Sequence, residues 1–151
     1  EAALVNFIEP GDNVLIGING YFGERMFDMA CRYGANADRL ERPWGEVFDP
    51  DEVKSAISKK QYKLFAMVHA ETSTGALQPH VGEIAEIVHD NGALLILDCV
   101  TSLAGVPVEI DNWDVDVAYS GTQKCLSCPP GLAPLTLMNK VGRGSTVVAL
   151  P

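Results

Sequence analysis

Short runs of apolar residues alternate along the chain with segments in which apolar positions recur with helical spacing. The apolar runs cover 14–18, 63–69, 93–98 and 115–119, with a later candidate at 132–137. Runs this short and continuous are typical of strands that are buried on both faces of a parallel sheet. The segments with helical spacing cover 2–8, 21–33, 50–58 and 81–91. The alternation predicts an α/β fold with a mostly parallel sheet and helices on both of its faces.

Local signals at the ends of two of these segments support the helix predictions. Asp49 can cap a helix that begins at Pro50, because proline fits the first helical position. Asn91 and Gly92 form a typical helix end after the segment 81–91.

Composition and charge exclude several classes of partner. The chain has 151 residues, of which 47% are apolar, so it can bury a single core. Its 20 acidic and 11 basic residues give a formal net charge of −9. Because this charge repels phosphate backbones and anionic lipids, we expect neither nucleic acid nor a membrane as partner. No apolar run approaches the roughly 18 residues of a membrane span and no signal peptide opens the chain, so we expect a cytoplasmic protein.

The four cysteines predict neither a disulfide framework nor a metal site. They are too few for such a framework in a chain of this length without a secretory signal. Cys125 and Cys128 have the spacing of half a zinc site, but there is no second pair, and the three histidines do not cluster with them in sequence.

Chemically versatile residues follow the predicted strands at the point where each strand ends. The segments in question are 19–23, 69–75, 98–102 and 120–124. Since ligands bind beyond the carboxyl ends of the strands in such sheets, we expect these segments to meet at one ligand-binding edge.

Two ionisable residues in these segments are candidates for a function. Asp98 follows an entirely apolar run, so its carboxylate needs a cationic partner or has a raised pKa. It could pair with a cationic ligand atom or simply cap a turn. Lys124 has no other charged side chain near it between 119 and 138. It could be a solvated loop lysine, or a lysine in an uncharged cleft whose amine is free to form a Schiff base.

Phe22 and the hydroxyl residues allow two interpretations each. Phe22 could pack in the core, or it could stack on a flat heteroaromatic ring, because Gly20 and Gly23 let the backbone approach closely. Thr72 lies in a run of three hydroxyl residues that could donate to a ligand or form an ordinary turn. The spacing of Gly17, Gly20 and Gly23 differs from the dinucleotide motif G-x-G-x-x-G, and no predicted strand ends in a suitable acid about twenty residues later.

Three segments together resemble the class V pyridoxal-phosphate aminotransferases. They are His69-Ala-Glu-Thr-Ser-Thr-Gly75, Asp98-Cys-Val-Thr-Ser-Leu-Ala-Gly105 and Tyr119-Ser-Gly-Thr-Gln-Lys-Cys-Leu-Ser-Cys-Pro-Pro-Gly131. Within that family the sequence is most similar to the alanine–glyoxylate and serine–glyoxylate (serine–pyruvate) aminotransferases. The resemblance implies transfer of an amino group from serine or alanine to glyoxylate or a similar 2-oxo acid, with pyridoxal phosphate as cofactor.

The resemblance also implies a role for each candidate residue. Lys124 would form the Schiff base with the cofactor and move the substrate proton, and Asp98 would pair with the protonated pyridine nitrogen. Four further residues would contact the cofactor. Val100 and Phe22 would lie on opposite faces of its ring. Thr72 would bond near its phenolic oxygen, and Gln123 would reach its phosphate.

The family's proteins are more than twice as long as this chain, and both ends of the chain lie within predicted structure or directly after the apolar run 146–150. We therefore expect 1–151 to be the central part of the large domain of a fold-type I enzyme, without its N-terminal part and C-terminal small domain. A homodimer is the assembly that the family implies. Another class V reaction, such as that of a lyase, a desulfurase or a different aminotransferase, stays open. So does an inactive α/β binding module.

Overall fold

A computed structural model describes residues 1–138 and contains four helices and eight strands within them. In chain order the elements are α1 (Ala2–Val5), β1 (Asn13–Ile18), α2 (Tyr21–Arg32), β2 (Asn36–Glu41), α3 (Pro50–Ile57), β3 (Leu64–Val68), β4 (Ala70–Glu71), β5 (Ala76–Leu77), α4 (Val81–Asp90), β6 (Leu94–Asp98), β7 (Val117–Tyr119) and β8 (Leu135–Leu137). The apolar run at 146–150 lies outside the described residues.

Six of the strands form one sheet in the order β2-β1-β3-β6-β7-β8. The first five are parallel to one another, and β8 pairs with β7 in the antiparallel direction. The short strands β4 and β5 form a separate antiparallel pair directly after β3. The mostly parallel α/β sheet predicted from the sequence is therefore confirmed.

Two apolar clusters cover the two faces of the sheet, because side chains alternate between faces along each strand. Leu15, Phe65 and Leu97 face the cluster that contains residues of α3 and α4. Ile16, Ala66 and Ile96 face the other cluster, to which α1 and α2 contribute. Helices thus lie on both faces, as the sequence predicts.

The structure differs from the sequence prediction at β2. This strand reads Asn-Ala-Asp-Arg-Leu-Glu, and its residues are exposed or half-buried, because it is the edge strand of the sheet. An edge strand needs no continuous apolar run, so the search for such runs missed it. The sequence predicted no strand ending in a suitable acid about twenty residues after the glycine segment, whereas β2 ends there at Glu41, whose side chain accepts a hydrogen bond from Arg39.

The predicted capping of α3 is confirmed in detail. The Asp49 side chain accepts a hydrogen bond from Asp51 N–H, and the Glu52 side chain accepts one from Asp49 N–H, which forms a capping box.

In the described part of the chain, no helix is long and apolar enough to cross a membrane.

Candidate active site at the carboxyl edge of the sheet

Asp98 is a buried acid at the carboxyl end of β6, with only 6% of its surface exposed. Its Oδ1 accepts a hydrogen bond from the Val100 N–H at 2.9 Å, and its Oδ2 accepts one from the Tyr119 hydroxyl at 2.7 Å. Burial raises the pKa of Asp98 and the nearby Glu71 adds to the rise, while the two hydrogen bonds act against it. The buried position that the preceding apolar run predicts for this acid is confirmed.

Tyr119 was not a candidate in the sequence, although it opens the segment that contains Lys124. It is the register partner of Asp98 across β6 and β7, so both side chains lie on the same face of the sheet. Burial of the hydroxyl and the adjacent Asp98 raise the pKa of Tyr119 well above its usual value. Tyr119 therefore stays protonated at neutral pH and acts as a hydrogen-bond donor.

Glu71 is a second buried acid that the sequence reasoning missed. Its Oε2 accepts hydrogen bonds from Phe22 N–H and Gly23 N–H, at 3.1 and 3.3 Å. Its Oε1 accepts from the backbone N–H and the hydroxyl of Ser73, at 3.1 and 2.7 Å. This carboxylate satisfies free amides at the beginning of α2 and joins that helix to the loop after β4. The sequence signal that could have identified Glu71 is that it is a single acidic residue among small and hydroxyl residues after a buried strand.

Close packing explains two of the glycines that precede and begin α2. A Cβ atom on Gly20 would lie 2.3 Å from the Glu71 Cγ, and one on Gly23 would lie 2.7 Å from the Gly17 carbonyl oxygen. The absence of a side chain at these two positions therefore lets the Glu71 carboxylate and β1 approach the beginning of α2 closely.

Phe22 lies in the first turn of α2, on the side of the sheet to which Asp98 and Tyr119 point. Its half-buried side chain packs against the α1 and α2 cluster, and its ring meets that of Tyr21 in a T-shaped arrangement, with ring centroids 5.5 Å apart. The structure therefore shows partial core packing of Phe22, which leaves part of the ring exposed.

Thr72 connects to the loop after β6. Its hydroxyl donates to the hydroxyl of Thr101 at 3.2 Å, and Thr101 donates in turn to the Ala70 carbonyl oxygen at 2.6 Å. The Cys125 thiol lies 3.4 Å from the carbonyl oxygen of Thr101. Thr101 thus joins the Thr72 loop to the turn that carries Lys124.

Lys124 and Gln123 are exposed and lie on a turn after β7. Buried Thr122 closes this turn, because its hydroxyl donates to the Pro129 carbonyl oxygen at 2.8 Å and its own carbonyl oxygen accepts from Cys128 N–H at 3.0 Å. The sequence favoured a cleft around Lys124; within residues 1–138 its side chain is solvent-exposed instead. Its role and that of Gln123 stay predictions.

The structure therefore brings most of the candidates to one edge of the sheet. Asp98 and Val100 are hydrogen-bonded to each other, Phe22 is anchored through Glu71, and Thr72 is joined through Thr101 to the Lys124 turn. His69, which opens the Thr72 segment, packs instead on Trp113 of the opposite cluster, with ring centroids 5.2 Å apart. No group of three or more metal-ligating side chains occurs among the residues described.

This edge fits a cofactor with a protonated ring nitrogen. Within residues 1–138, no lysine, arginine or histidine forms an ion pair with Asp98. A buried carboxylate of this kind is stabilised by a cation, and each of its oxygens can accept a further hydrogen bond. The partly exposed Phe22 ring offers an apolar surface on the same face.

Comparisons with known proteins agree on one family. The model of the family Aminotransferase class-V matches residues 1–143. The (S)-ureidoglycine–glyoxylate transaminase of Bacillus subtilis (strain 168) is 48% identical over 93% of this chain and 34% of its own length. The alanine–glyoxylate aminotransferase of Drosophila melanogaster is 41% identical over 93% of this chain and 36% of its own length.

A solved structure shows the same fold. The alanine–glyoxylate aminotransferase from Nostoc sp. superposes with a TM-score of 0.88 and 48% identity, over 97% of this chain and 40% of that one. The chain thus spans little more than a third of the length of the proteins that it matches.

Proposed function

The chain belongs to the class-V aminotransferase family, and from this premise we propose that it is the central part of the large domain of an aminotransferase that uses pyridoxal phosphate. The observation that carries the proposal is Asp98, a buried carboxylate that has no ion-pair partner among the described residues. The loop that follows it contacts the segments of Thr72 and Lys124 through Thr101.

The residues at the sheet edge would divide the chemistry among them. When bound, pyridoxal phosphate supplies an aldehyde carbon and an electron-withdrawing ring. Asp98 would hold a proton on the ring nitrogen, and the Lys124 Nζ would bind the aldehyde carbon and later carry the substrate proton.

The remaining candidates would orient the cofactor. Phe22 and Val100 would hold the two ring faces, Thr72 would donate to the phenolic oxygen, and Gln123 would contact the phosphate. Backbone hydrogen bonds support two of these positions, since Phe22 N–H is bound by Glu71 and Val100 N–H by Asp98.

We propose glyoxylate or a similar small 2-oxo acid as amino acceptor and serine or alanine as donor. Support comes from the names of the relatives, which include an alanine–glyoxylate and a ureidoglycine–glyoxylate enzyme. A homodimer and a cytoplasmic location complete the proposal.

The full-length enzyme tests this function directly. Purified protein with pyridoxal phosphate is assayed for glycine formation from glyoxylate, with alanine, serine or ureidoglycine as donor. Lys124→Ala is expected to abolish turnover with every donor. The matched control is Lys59→Ala, an exposed lysine that precedes β3 at the opposite edge of the sheet, and it should keep full activity. Absence of amino transfer from all donors in the wild type would contradict the proposal.

A further inference from the structure

The two oxygens of Asp98 are held by different kinds of donor. Oδ1 is bound by the main-chain N–H of Val100, which any substitution other than proline leaves in place. Oδ2 is bound by the hydroxyl of Tyr119, the only side chain among the described residues that donates to Asp98. Tyr119 is therefore the position through which a side chain controls this carboxylate.

The strands fix this contact. Asp98 and Tyr119 are paired in the parallel register of β6 and β7, so their side chains project side by side from the same face. The Tyr119 hydroxyl also lies 3.5 Å from the Met26 Sδ of α2, a weak acceptor that does not compete with a carboxylate. The hydroxyl hydrogen is thus directed to Asp98.

The surroundings of Asp98 work against its charge. Burial and the charge of Glu71 raise the pKa of Asp98, whereas the donors Val100 and Tyr119 lower it. The other ionisable side chains near the pair are Cys99 and Arg25. A carboxylate in such a setting takes up a proton more readily once a donor is removed.

We propose that Tyr119 is a positioning residue that keeps Asp98 ionised and oriented, so that the proton of the pair stays on the cofactor's ring nitrogen. The inference rests on the proposed function, because it needs a protonated pyridine nitrogen next to Asp98. Loss of the Tyr119 hydroxyl makes Asp98 the better base, and the shared proton then moves from the nitrogen to the carboxylate.

The first measurement uses the full-length enzyme without cofactor. The carboxylic-acid band of Asp98 is followed by infrared difference spectroscopy over pH and assigned by its loss in Asp98→Asn. Tyr119→Phe is expected to raise the pKa of Asp98. Replacing Tyr119 with 3-fluorotyrosine, a stronger donor of nearly the same shape, is expected to lower it. Because the fluorinated variant retains the ring and hydroxyl, it decides the question even where Tyr119→Phe does not fold.

Tyr62→Phe is the matched control. Tyr62 is a buried tyrosine whose hydroxyl donates to Asp38 at 2.6 Å, so the variant removes the same type of hydrogen bond, but next to the edge strand β2. The pKa of Asp98 should not change in this variant.

The second measurement uses the enzyme loaded with cofactor that carries ¹⁵N in its ring. In the wild type, the ¹⁵N NMR chemical shift of the ring nitrogen should be that of a protonated pyridine. Tyr119→Phe should move it toward the unprotonated value and weaken cofactor binding, because a neutral Asp98 attracts the ring nitrogen less than a carboxylate does. Tyr62→Phe should leave both unchanged.

Two results would overturn the inference, and they are distinguishable from failure of the proposed function. If the pKa of Asp98 is unchanged in both Tyr119 variants, the Tyr119 hydroxyl does not control the ionisation of Asp98, and the inference is wrong. A protonated nitrogen that stays protonated in Tyr119→Phe shows that the hydroxyl does not control the proton. A wild type that binds no cofactor at Lys124 instead refutes the proposed function and the inference with it.

Discussion

Glu71→Gln tests whether a buried carboxylate holds the beginning of α2 and, through it, Phe22. Glu71 is 1% exposed and accepts four hydrogen bonds, two from α2 amides and two from Ser73. Glutamine has the same size, but only one of its terminal atoms accepts, so its NH₂ group faces two of the four donors. The substitution therefore leaves one pair of donors without an acceptor.

The cost follows from the number of bonds lost. Hydrogen bonds to a charged group contribute about 1.5–3 kcal/mol each and an unsatisfied buried donor costs about 1–3 kcal/mol, with incomplete additivity. Allowing for relaxation of the loop, we expect Glu71→Gln to lower the free energy of unfolding by about 2–4 kcal/mol. The charge interaction with the helix dipole is lost as well.

Two assays on the full-length protein measure this effect. Urea denaturation gives the change in stability, and hydrogen exchange by mass spectrometry reports the protection of the Phe22 and Gly23 amides. Both should decrease in Glu71→Gln. The matched control is Glu83→Gln, an exposed acid in the first turn of α4, with an expected change below about 0.5 kcal/mol. Equal effects of the two variants, or unchanged protection of the α2 amides, would refute the reasoning.

Two further predictions concern packing and thiol reactivity. Gly23→Ala should destabilise the protein by about 1–3 kcal/mol, because the added Cβ would lie 2.7 Å from the Gly17 carbonyl oxygen. Gly82→Ala in α4 leaves an ordinary distance of 3.5 Å to Trp113 and should be neutral or slightly stabilising. Similar midpoints of thermal unfolding for the two variants would count against this packing. Burial raises the pKa of Cys99 to about 12, so this thiol stays protonated at pH 8. Cys99 should therefore resist alkylation by iodoacetamide until the protein is denatured, while the exposed Cys31 reacts first. Alkylation of both thiols at equal rates would contradict the buried position of Cys99.

The central strands could be predicted from the sequence because burial on two faces requires a continuous apolar run. β1, β3 and β6 have such runs, and their ends lie within a residue of the predicted ones. β2 lies at the edge and is half exposed, so its sequence carries no comparable signal. Strand prediction by apolarity thus works for the interior of this sheet and fails at the β2 edge.

The candidate site was predictable as a set of strand ends, but its internal contacts were not. The position of Asp98 directly after an apolar run predicted a buried acid. The hydrogen bond from Tyr119 to Asp98 depends on the register of β6 and β7. The hydrogen bonds from α2 to Glu71 join residues that are separated by 48 and 49 positions in the sequence. Such partners are set by the packing of distant segments, which a linear pattern does not encode.

The most direct test of the account is to find which lysine carries the cofactor. The full-length enzyme is incubated with pyridoxal phosphate, reduced with borohydride and digested, and the modified peptide is identified by mass spectrometry. We predict one phosphopyridoxyl group on Lys124 and none in Lys124→Ala. Modification of a different lysine, or of none under conditions that reduce Schiff bases, would contradict the assignment of this sheet edge as the cofactor site.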